Sequence, residues 1–74
     1  MTLSEAASIL RRMYDAGSIE KEQSTQVHLF GIKYAQEISS MSLAQLVTQA
    51  GLPAPYRTEI RKGIKLAKYV RVVA

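Results

Sequence analysis

Two four-residue stretches, Thr2-Leu3-Ser4-Glu5 and Ser42-Leu43-Ala44-Gln45, constrain this chain more than any other feature. Each is a capping box: a Ser or Thr hydroxyl bonds the amide three residues on, and the Glu or Gln there reaches back. An apolar stripe follows each. Leu3, Ala6, Ala7, Leu10, Met13 and Tyr14 carry the 3-4 spacing of an amphipathic helix, as do Leu43, Leu46, Val47 and Ala50. Gly17 and Gly51 stand where a left-handed residue would end each helix. The chain is thereby phased into helices from both its start and its middle.

The remaining segments fit that phase. Residues 18–23 read as a polar connection with solvated Glu20 and Glu22. A second helix is expected over about Ser24 to Ser39. Val27, Phe30, Tyr34 and Ile38 share one of its faces, while Leu29 and Ile32 lie nearly opposite, so it is either central or committed in part to another subunit. Gly31 permits close approach of a neighbouring helix. After Gly51, the Leu52-Pro53-Ala54-Pro55 stretch makes a turn, and Pro55 suits the first turn of a fourth helix running to about Tyr69. Val70 to Val73 alternates, and reads as a short strand or a tail. The expected fold is all-α: one domain over residues 1–74, a compact bundle of about four helices.

Composition narrows the classes. A 74-residue chain buries only about 60% of its unfolded surface. With no cysteine it has neither disulfides nor thiolate metal sites to help it, which leaves dimerisation as the common device. Nineteen uncharged residues run from Ile38 to Tyr56, but Ser, Gln, Thr, Gly and Pro interrupt them, so no membrane span is expected. The N-terminus lacks the basic start and apolar run of a signal peptide, and cytoplasmic residence is the expectation. Charge is segregated. Residues 1–54 hold four Lys/Arg against five acids, whereas residues 55–74 hold six against Glu59 alone. Such asymmetry points to an anionic partner for the C-terminal part.

At 100° per residue, Arg57, Arg61, Lys65 and Lys68 fall within an arc of about 80°, with Thr58 and Lys62 beside them. Tyr56, Ile60, Gly63, Ile64 and Ala67 take the other side. A solvated helix usually mixes Glu with Lys, and this stripe carries almost no acid. The stripe also follows a short capped helix and a turn. Over Ser42 to about Tyr69 the chain resembles a helix-turn-helix DNA-binding unit of the small prokaryotic type, in the capped helix, apolar Leu46 and Ala50, Gly51 followed by Leu52, and Ile60. It departs from that pattern at Val47, where a small residue is usual, and at Arg57, where an apolar one is; Tyr56 would then serve through i,i+4 spacing.

The resemblance implies that the helix after Ser42 supports and that the basic helix 55–69 enters the major groove of double-stranded DNA. Arg57, Thr58 and Arg61 are then the candidates for base edges, and Lys62, Lys65 and Lys68 for phosphates. Ser42 and Gln45 would add a backbone contact. A transcriptional regulator or accessory factor, acting as a homodimer, is the function implied. Leu29, Ile32, Leu66, Tyr69 and Val70–Val73 are the candidate pairing residues. The rival is a protein-interaction module whose basic helix docks an acidic protein partner. A third, an amphipathic helix at an anionic membrane, is disfavoured because Ile60 and Ile64 are needed in the core. His28, the one histidine, reads as structural or surface, and Arg11-Arg12 as an exposed pair, within reach of a phosphate but read as solvated. Tyr14, Phe30, Tyr34 and Tyr56 read as core packing. No active site, cofactor, metal or small-molecule ligand is expected.

Overall fold

The computed structural model describes residues 1–18 and 21–73; Ile19, Glu20 and Ala74, and with them the reading of Glu20 as solvated, lie outside the described residues. Five helical segments follow one another: α1 (Leu3–Ser18), α2 (Gln23–Lys33), α3 (Ala35–Ile38), α4 (Leu43–Ala50) and α5 (Tyr56–Leu66). The all-α expectation holds. Of the two readings of Val70–Val73, the strand does not form: no strand occurs among the described residues.

The N-terminal capping box is complete. Thr2 N–H donates to Glu5 Oε1 at 2.8 Å, and Glu5 N–H donates to Thr2 Oγ1 at 3.1 Å. At α4, Gln45 N–H donates to Ser42 Oγ at 3.2 Å. Gly51 then closes α4 in the left-handed conformation, φ 75°, its own N–H bonding the Thr48 carbonyl.

Three boundaries differ from expectation. α1 runs through Gly17 to Ser18, and Gly17 is not in the left-handed region. What requires glycine there is the returning chain: a Cβ would meet the Glu22 carbonyl oxygen at 2.7 Å. The left-handed residue is instead Lys21, φ 58°. The single helix expected over 24–39 is broken at Tyr34 (φ −112°, ψ 21°), after which α3 turns the fully buried Ile38 into the core. α5 stops at Leu66 rather than Tyr69, and residues 67–69 form a turn.

The core comprises Ala6, Ala7 and Leu10 of α1, Val27 and Phe30 of α2, Ile38, then Leu46, Val47 and Ala50 of α4, Leu52 of the turn and Ile60 of α5. α2 is the central helix, packed on α1 and on α5, while α4 leans mainly on α1. Of the alternatives open for its two-sided pattern, the central position is therefore the one adopted, with Leu29 and Ile32 half-buried.

Candidate nucleic-acid interface

The placement of α5 begins with two residues that lack side chains. Gly31 of α2 and Gly63 of α5 lie back to back: a Cβ on Gly31 would stand 2.5 Å from the Ile60 carbonyl oxygen and 3.0 Å from Gly63 Cα. A Cβ on Gly63 would collide with the His28 carbonyl oxygen and lie 2.9 Å from Gly31 Cα. The two backbones touch, which glycine alone permits. Ile60, fully buried, anchors the same face. Tyr56 secures the first turn by an edge-on contact with Tyr14 of α1, ring centroids 5.3 Å apart at 87°. Burial, and then the Tyr56 phenol beside it, push the Tyr14 phenol up from its ordinary range.

With one face so held, the other is presented outward. Arg57, Thr58, Arg61, Lys62 and Lys65 are all exposed along α5. Lys68, assigned to the same helical stripe, stands in the turn beyond the helix end. Within this array Lys62 is the member with an acidic neighbour, Glu59 Oε1 at 3.6 Å. The other oxygen of Glu59 lies against Nε2 of His28 on α2.

α4 and the turn supply the second wall. Arg11 is exposed, as expected, but it also ties α1 to the end of α4. Its Nη1 donates to the carbonyls of Ala50 and Gly51 at 3.4 and 3.3 Å, capping α4, while its Nε donates to Asp15 at 3.2 Å. A cation at the C-terminal end of a helix complements its dipole. Val47 is buried, and Arg57, where an apolar residue is usual, stays exposed. A notch of about 100 Å³ lies between the helices, lined by Ala44, Val47, Thr48, Leu52, Ala54 and Arg57. The two departures from the usual pattern thus meet at one place: where an apolar contact would close the unit, α5 relies on α2 instead.

A short capped helix, a left-handed glycine with a buried Leu after it, and a second helix with an outward basic face form a helix-turn-helix arrangement. The family model described as HTH-like domain matches residues 2–73. The chain belongs to the HTH-like domain family. No curated protein and no solved structure matches it. The match runs over all five helices, so this HTH-like domain includes α1 to α3 as well as the bihelical unit. No helix among the described residues is long and apolar enough to cross a membrane.

Sequence reasoning did not find the Glu59–His28 contact. Its signal was present: Glu59 precedes Gly63 by four residues and His28 precedes Gly31 by three, so both lie one turn before the glycine crossing.

Proposed function

We propose that this HTH-like domain is a small double-stranded DNA-binding protein of the cytoplasm, serving as a transcriptional regulator or accessory factor, with α5 as its recognition helix. One observation carries the reading: α5 docks by a glycine-lined, apolar face and leaves Arg57, Arg61 and Lys65 exposed together, with no acidic partner among the described residues. Arg57, Thr58 and Arg61, on the half of the helix next to the turn, are assigned to base edges, since Arg bonds guanine O6 and N7. Lys62, Lys65 and Lys68 are assigned to phosphates, which fix position without reading sequence. The working form is a homodimer, because one such helix reads only a few base pairs.

The test is titration of the protein against random-sequence duplex at two salt concentrations. About four neutralised phosphates give a slope near −4 in log K against log salt, hence a loss of about 10² between roughly 50 and 200 mM. A flat response, or no duplex binding at low salt, would transfer the basic face to an acidic protein partner.

A further inference from the structure

The one acidic side chain of α5 is held in an unusual place. Glu59 sits at the edge of the basic face, only 24% exposed, and touches both Lys62 and His28. His28 Nε2 is closed off from solvent and has no partner in hydrogen-bonding geometry, although Glu59 Oε2 lies directly against it. A bare nitrogen lone pair facing a carboxylate oxygen is repulsive, so the contact favours a proton on Nε2. A neutral imidazole meets that need in one tautomer; an imidazolium meets it and also cancels the carboxylate's charge.

Lys62 is the other charge on this pair, and the Tyr56 phenol lines a pocket with Glu59. From α5 the facing groups are Glu59 and Lys62. From α1, Arg11 and Asp15 bond each other. Arg12 lines a groove with Gln26 and Lys33, which lie about 140–160° round α2 from His28 at 100° per residue. His28 is the one histidine and there is no cysteine, so it is the one side chain whose charge ordinarily changes between pH 5 and 8.

We propose that His28 and Glu59 make DNA binding proton-linked. This rests on α5 being the DNA-facing helix. A phosphate approaching Lys62, about 60° round α5 from Glu59, also approaches the Glu59 carboxylate, which repels it and competes for Lys62. Protonation of His28 neutralises that carboxylate and frees Lys62. By linkage, DNA then favours the imidazolium and acid favours DNA: protons are taken up on binding, and affinity rises as pH falls.

The experiment measures duplex affinity by fluorescence anisotropy at about pH 8 and pH 6 and fixed salt, for the wild type, Glu59→Gln and His28→Gln. The wild type is expected to bind about fivefold tighter or more at the lower pH. Glu59→Gln should bind at least as tightly as the acid-form wild type at both values. His28→Gln should stay at the weaker level at both. The His28 ring resonances of the intact wild type, followed by NMR, should titrate at higher pH with duplex than without, a readout independent of how well either variant folds. Wild-type affinity equal at the two pH values, or a His28 titration unmoved by duplex, overturns proton linkage while leaving DNA binding standing. Absence of duplex binding at both pH values overturns the DNA reading itself.

Discussion

Gly63 shows how much of this molecule depends on single positions. A methyl group there has to displace backbone on α2, not the end of a flexible side chain. Overpacking of this kind costs about 1–3 kcal/mol, and each kcal/mol shifts the melting temperature of so small a domain by roughly 4–8 °C. Gly63→Ala should therefore lower the melting temperature by about 4 °C or more, as thermal unfolding by circular dichroism would register. Two neighbouring residues separate architecture from binding. Ile60→Ala empties a fully buried site and should cost about 2–5 kcal/mol, enough to unfold much of a marginal domain. Arg61→Ala removes an exposed charge and should leave melting nearly unchanged, while the salt slope for duplex binding falls by about one. A melting loss for Arg61→Ala with none for Ile60→Ala would mean that the two faces of α5 are exchanged.

The helices differ in how local their determinants are. α1 and α4 begin with bonds spanning three residues, which is why both starts were legible in the sequence. The basic face of α5 was legible for the same reason, periodicity being a property of one segment. The break at Tyr34, the continuation of α1 through Gly17 and the early end of α5 were not legible. Packing outside the segment's own periodicity goes with the first two: Ile38 is buried in the core after the break, and the chain at Glu22 folds back against Gly17. For the end of α5 we find no single contact responsible. Arg11 illustrates the limit, its partners on α4 lying 39 and 40 residues away. The α1 cap also has a pH signature. Hydrogen bonds from Thr2, first its backbone N–H and then its hydroxyl, hold the Glu5 carboxyl below the usual carboxylate range. A pKa depressed on folding adds stability above the unfolded value, lost as pH falls through the folded one. Glu5→Gln should therefore melt lower than the wild type at neutral pH, and the difference should shrink as acid protonates Glu5. A gap constant down to strongly acidic pH would show that this cap does not act through the carboxylate.

At the scale of the whole molecule, the domain measures 27 × 26 × 20 Å, shorter than the ~34 Å of one DNA turn. Two copies side by side could place their α5 helices in successive major grooves. Beyond Met1, the exposed large apolar side chains among the described residues are Leu66, Tyr69, Val70 and Val73, all at the end of the chain that carries α5. Leu29 and Ile32, half-buried, have less to offer a second copy. Sedimentation equilibrium at micromolar concentration should give the mass of a dimer, and Tyr69→Ser with Val73→Ser should shift it towards the monomer. A monomer mass for the wild type, unchanged by a palindromic duplex, would refute pairing. The glycine crossing has a further consequence, for portability. Because α5 is seated on α2 and α4 on α1, the bihelical unit is not a free-standing cassette. A peptide of residues 42–66 should be largely unstructured in water, and a graft that transplants the basic helix to another scaffold will keep its aim only if α2, with Gly31, travels with it.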